Sequence, residues 1–83
     1  MSKEQRIKSA LYRSNYRGCK ETDILIGKFA NQFLNSFNDD QLNLFEKLII
    51  KDDSEIYDWI LNKTPHPKKY QKLINHIRDF HKL

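Results

Sequence analysis

The groups of this 83-residue chain that could carry acid, base, nucleophilic or metal chemistry are eleven carboxylates, three histidines and one cysteine. His66, His76 and His81 miss the i, i+4 spacing that puts two metal ligands on one helical face, and no second cysteine accompanies Cys19. A cysteine nucleophile needs an activating neighbour, and Lys20 alone is thin support for one. The pairs Asp39/Asp40 and Asp52/Asp53 stand just before apolar-periodic segments, where helix caps and first-turn acids belong. Two glycines make no phosphate-cradling loop. The expectation is a protein without a catalytic centre, a metal or a cofactor of its own.

The stretch NYRGCKETD, residues 15–23, concentrates charge around one of those glycines. A structural reading makes Gly18 the N-cap of a helix, with Glu21 at the third helical position reaching back to the Gly18 N–H as half of a capping box. Glu21 and Asp23 would then favour the positive end of that helix dipole, and Arg13 and Arg17 the negative end of the helix before it. A functional reading is compatible with this one. A glycine corner lets a partner backbone approach closely, while Arg17 and Glu21 offer charge-assisted hydrogen bonds on either side.

The elements that must position this corner read as helices throughout, since two prolines and no alternating run of strand length leave little else. The predicted fold is an all-α, single-domain bundle of about five helices over residues 1–83. The first spans about Lys3 to Asn15, with Ile7, Ala10 and Leu11 inward. The second runs from near Cys19–Asp23 to about Ser36, on a stripe of Leu25, Ile26, Phe29, Phe33 and Phe37. Gly27 within it lowers helix propensity by about 1 kcal/mol, which a close helix crossing would offset. The aromatic residues at 29, 33, 37 and 45 have core spacing, which argues against a flavin or base-stacking box.

Two further starts carry capping signals: NDDQ at 38–41, with Gln41 at the capping-box position, and DDSE at 52–55, with Asp52 as cap. The helices they open bury Leu42, Phe45, Leu48 and Ile49, then Ile56, Trp59 and Ile60. NKTPHPKK is the sharpest break, with Pro67 suited to the first position of the last helix. That helix runs to about Lys82 and turns Tyr70, Leu73, Ile74 and Ile77 inward.

A single cysteine excludes an internal disulfide and points to a reducing compartment. No apolar run approaches the ~18 residues that span a bilayer. The basic first twenty residues are read as part of the folded domain, because Gly18 and Glu21 follow too soon for a removable leader. The net charge of +4 is unevenly spread. Residues 1–20 carry six basic groups against one acid; residues 21–62 carry three against nine; residues 63–83 carry six against one. This is either a solvated helical surface with local bias or a basic face for an acidic partner.

Arg17-Gly18-Cys19-Lys20-Glu21, followed by Asp23 and an apolar helix, resembles the RGxxE signature of the succinate dehydrogenase assembly factors that promote flavinylation, the SdhE family of bacteria. NDDQLNLFEKLI fits that pattern, and DDSEIYDWI resembles the family's acidic turn leading to a helix with a tryptophan, here Asp52, Asp53 and Trp59. The resemblance covers about residues 10–62. It implies a helical assembly factor that binds the flavoprotein subunit of succinate dehydrogenase, and in some bacteria that of fumarate reductase. Such a factor favours covalent attachment of FAD to a histidine of that partner and holds no FAD stably itself.

Carried onto this chain, the resemblance makes Arg17, Gly18 and Glu21 partner-binding residues, with Asp23 beside them. Tyr16 stands where the family often has the first of two arginines, and can keep a hydrogen bond but not the charge. The implied setting is a monomer in the bacterial cytoplasm, near a membrane only through its partner and not inserted in it. A rival of another class is a small nucleic-acid-binding module using residues 1–20 and 63–83. Its binding would weaken steeply with salt.

Overall fold

The computed structural model describes residues 2–83 and contains, among them, five helices and no strand. Helix α1 is Lys3–Asn15, opened by a capping box in which the Ser2 hydroxyl accepts from the Gln5 N–H and the Gln5 side chain from the Ser2 N–H. Helix α2 is composite: Lys20–Thr22, a π turn at Asp23–Gly27, Lys28–Phe33 and a closing 3-10 turn at Leu34–Ser36. Helix α3 is Asp39–Ile49, α4 is Asp53–Ile60, and α5 is Gln71–His81, entered through a 3-10 turn at Lys68–Tyr70.

Local chemistry accounts for most of these boundaries. Asn38 and Gln41 form the capping box expected of NDDQ, with both bonds at 2.8 Å. Asp52 occupies the predicted cap position of α4, but its side chain makes no capping hydrogen bond. Asn62 ends α4 in the left-handed region at φ 61°; Lys63 N–H then reaches the Asp58 carbonyl and Asn62 N–H that of Trp59. Those two bonds are a Schellman closure, with asparagine in the position usually held by glycine. Pro67 precedes the 3-10 turn rather than opening α5, so the chain winds tightly for three residues before α5 begins.

The predicted core faces assemble around one cluster. Ile26, Phe29, Leu34, Leu42, Phe45, Leu48, Ile56, Ile60 and Ile77 are fully buried, and Phe33 and Leu25 pack on its margin. At roughly 25 cal/mol per Å² of apolar surface removed from water, each such side chain contributes about 1.5–3 kcal/mol. Phe29 is central, with its ring 5.0 Å from Phe33, 6.0 Å from Phe37 and 6.2 Å from Phe45. The aromatic stripe is core, as its spacing indicates.

Gly27 is where α2 crosses α1. A Cβ there would lie 2.7 Å from Asn15 Oδ1 and 3.3 Å from the Ser14 carbonyl, so any larger residue would have to push the Asn15 side chain aside. The π turn ending at Gly27 has no counterpart in the predicted elements. Its Leu25 carbonyl accepts a hydrogen bond from His81 Nε2 at 2.7 Å, which anchors the end of α5 to α2. Arg78 adds a second anchor by donating to the Ile60 carbonyl at the end of α4.

Candidate functional site

The corner between α1 and α2 is held by the side chains of Arg17 and Asp23. Arg17 is followed by Gly18 at φ +89°, a conformation that other residues adopt only under strain, so the chain reverses here without a helix-forming residue. The Arg17 guanidinium turns inward, with 8% of the side chain exposed. Its Nε donates to Asp53 Oδ1 at 2.5 Å, Nη1 to the Ile49 carbonyl at 2.6 Å and Nη2 to the Lys51 carbonyl at 2.8 Å. One planar fork thus closes the C-terminal end of α3 and meets the first residue of α4, a geometry that lysine cannot reproduce.

A second acid fixes the same corner. Asp23 Oδ1 accepts from the Arg17 backbone N–H at 2.7 Å, tying the entry of α2 to the exit of α1. Both sequence-nominated residues, Arg17 and Asp23, therefore direct their polar groups into the fold.

Gly18, Glu21 and Tyr16 face outward. A Cβ on Gly18 would meet nothing within 4 Å, which leaves the backbone open to an approaching chain. Cys19, rather than Gly18, is the N-cap of α2, so Glu21 falls at the second helical position and the expected reach back to the Gly18 N–H is not made. The Glu21 carboxylate instead takes its own backbone N–H and the Cys19 thiol, at 3.4 Å from Sγ. Those bonds, with Lys20 nearby, hold its pKa below the usual glutamate range against a small opposing effect of burial. Tyr16 is 71% exposed and packs against Tyr12, itself 67% exposed, with ring centroids 4.7 Å apart and the planes tilted by 35°.

Beside the corner, Cys19 and Glu21 line an open groove with Asp53, Ser54, Tyr57 and Asp58 of α4. Asp53 is the residue that links this groove to the corner, and spacing along the chain did not single it out for that task. The available signal was the alternation of charged blocks. Arg6 pairs with Glu46 at 2.5 Å, Lys3 with Asp39 at 3.7 Å and Arg17 with Asp53 at 2.5 Å. Part of the basic N-terminal segment is thus matched to the acidic middle segment of the same chain.

Among the described residues no group of three or more His, Cys, Asp or Glu side chains is placed to hold a metal ion, and no helix is long and apolar enough to cross a membrane. His76 packs edge-on against Phe29 at 4.8 Å, and His81 serves the Leu25 carbonyl. What the arrangement offers is an exposed, charged glycine corner on a helical scaffold.

The chain belongs to the family described as flavinator of succinate dehydrogenase, which matches residues 8–81. It is 34% identical over 73 residues to succinate dehydrogenase assembly factor 2, mitochondrial, of Dictyostelium discoideum, a match covering 83% of this chain and 52% of the relative. The protein of that name from Danio rerio is 36% identical over 78 residues, covering 90% of this chain and 49% of the relative. Succinate dehydrogenase assembly factor 2-B, mitochondrial, of Drosophila ananassae is 36% identical over 73 residues, covering 86% and 45%. The chain spans about half the length of the curated relatives it matches. No solved structure is significantly similar to it. The relatives' names correct the expectation of a bacterial cytoplasmic location, because they belong to mitochondrial proteins of eukaryotes.

Proposed function

We propose that this chain is a non-catalytic assembly factor for succinate dehydrogenase that docks through its Arg17–Glu21 corner on the flavoprotein subunit and favours covalent attachment of FAD there. Family membership supports the assembly role. The observation that carries the docking site is Gly18, whose backbone is exposed with open space around its Cβ position and stands at φ +89° between the anchored Arg17 and the cap of α2. Anchoring of Arg17 on one side by Asp23, Asp53 and two carbonyls lowers the entropy that the corner would lose on association, which suits recognition of another backbone.

In this reading Gly18, Glu21 and Tyr16 touch the partner, while Arg17 and Asp23 set the corner's shape from within. The FAD and its histidine acceptor belong to the flavoprotein, and the factor holds no flavin stably. Its contribution is to favour the partner conformation in which flavin and histidine meet, a proximity effect that shifts a population rather than supplying a reactive group. The related subunit of fumarate reductase is a second client of the same surface. The factor acts as a monomer and reaches the membrane only through its client.

In-gel flavin fluorescence of the denatured flavoprotein subunit tests this, in cells with the protein, without it, and with Gly18→Arg. Loss of covalent flavin in the last two is expected. Unchanged flavin in all three would overturn the assembly reading and return attention to nucleic acid, with salt-dependent binding as the next measurement.

A further inference from the structure

We propose that Asp53 is a positioning residue for partner recognition at the Arg17–Glu21 corner, acting through the Arg17 guanidinium; the inference rests on the docking site proposed above. Asp53 opens α4, 36 residues from Arg17, and its Oδ1 receives the Arg17 Nε at 2.5 Å. That contact orients the guanidinium so that its other two edges meet the carbonyls of Ile49 and Lys51. Without it the fork would keep two neutral carbonyl acceptors and lose its one charged acceptor and the bond to its third edge.

The consequence falls on the docking surface. Residues Tyr16 to Cys19 lie between helices, and Gly18 is exposed, with nothing within 4 Å of its Cβ position. Asp23 ties the corner to the start of α2 through the Arg17 N–H, and the Arg17 guanidinium is the group that ties it to α3 and α4, so the angle at which Gly18 and Glu21 are offered relative to α4 depends on where that guanidinium is set. Asp53 also lines the groove that runs from Cys19 and Glu21 onto Ser54, Tyr57 and Asp58. The ion pair therefore joins the corner to the face of α4 and presents both to the partner as one surface. Removing two charges from water offsets much of their attraction, so such a pair is better suited to fixing geometry than to adding stability.

The test uses the full chain and the purified flavoprotein subunit, at a temperature where circular dichroism shows every variant folded. Asp53→Ala is expected to weaken binding tenfold or more and to speed amide hydrogen exchange at residues 17–21, with exchange at Phe29 and Phe45 unchanged. Asp53→Asn keeps an oxygen acceptor for Nε and should recover most of the lost affinity. In a double-mutant cycle, Arg17→Ala should cost little further affinity once Asp53 is alanine, because one acts through the other. Additive losses would show a direct contact of Asp53 with the partner and overturn the assignment. So would wild-type affinity in Asp53→Ala. If the wild-type chain itself fails to bind the subunit, the docking site falls and this assignment with it, an outcome distinct from a defect confined to the variants.

Discussion

Arg17 Nε and Asp53 Oδ1 meet at 2.5 Å across 36 residues of chain, and the same guanidinium satisfies the carbonyls of Ile49 and Lys51. The α1–α2 corner and the α3–α4 turn are thereby one structural unit. Arg17→Ala removes all three donors at once and leaves a half-buried carboxylate without its partner. Hydrogen bonds to charged groups contribute about 1.5–3 kcal/mol, and exposure of Asp53 tempers the loss. A destabilisation of about 2 kcal/mol is expected, lowering Tm by on the order of 10 °C in a domain of this size. Arg17→Lys should recover less than half of it, since an ammonium cannot serve three acceptors in a plane. Thermal denaturation of the two variants checks the order.

Gly18 separates backbone strain from intrusion on a partner. Its φ of +89° strains any L side chain, and strained backbone costs about 1–3 kcal/mol, yet the space around a Cβ is empty. Gly18→Ala and Gly18→Arg should therefore be destabilised about equally while retaining helical content. Only the arginine variant should lose partner binding outright, because its length reaches where two backbones would meet. Equal binding by both, measured by calorimetry at a temperature where both are folded, would show that strain alone explains the glycine.

The sequence exposes what is local and conceals what is distant. Asn38 and Gln41 cap α3 as their spacing demands, because both partners lie within one turn. Tyr70, Leu73, Ile74 and Ile77 are buried as their period requires, because one helical face decides them. The direction of Arg17 was not legible, since an arginine beside a glycine carries no sign of an acid 36 residues away. Glu21 stands at the second helical position and not the expected third because Cys19, a poor capping residue, holds the N-cap instead of Gly18. The π turn has no local signature in the sequence; it coincides with two tertiary contacts, the Gly27 crossing and the His81 bond to the Leu25 carbonyl. The alternation of charged blocks was visible, and the Arg6–Glu46, Lys3–Asp39 and Arg17–Asp53 pairs show that it records complementarity within the fold.

Gly27 sets two helix-level effects against each other. Alanine would gain about 1 kcal/mol of helix propensity. Its Cβ would lie 2.7 Å from Asn15 Oδ1 and 3.3 Å from the Ser14 carbonyl, and overpacking of this kind costs about 1–3 kcal/mol. The Asn15 side chain is not free to swing away, since its Nδ2 donates to the Leu11 carbonyl at 2.7 Å and to Asn31 Oδ1 at 3.1 Å. Gly27→Ala should be net destabilising by about 1 kcal/mol. Adding Asn15→Ala should recover part of that loss in urea denaturation, with the Ser14 carbonyl accounting for the remainder.

Glu21 gives the corner a pH signature. Its own backbone N–H, then the Cys19 thiol and Lys20, favour the carboxylate and place its folded pKa below the unfolded one. Stability linked to a lowered carboxylate pKa is fully present above the unfolded value and is lost as pH falls through the folded value. The Glu21 contribution should therefore persist through neutral pH and disappear only at acid pH, below the ordinary glutamate range. Cys19→Ala should raise the Glu21 pKa part of the way towards that range, because the backbone N–H remains in place. Titration of the Glu21 side-chain carbonyl by NMR checks both statements. A midpoint at or above the ordinary value in the wild-type chain would show that the carboxylate does not hold these bonds and would leave Glu21 free to move at the corner.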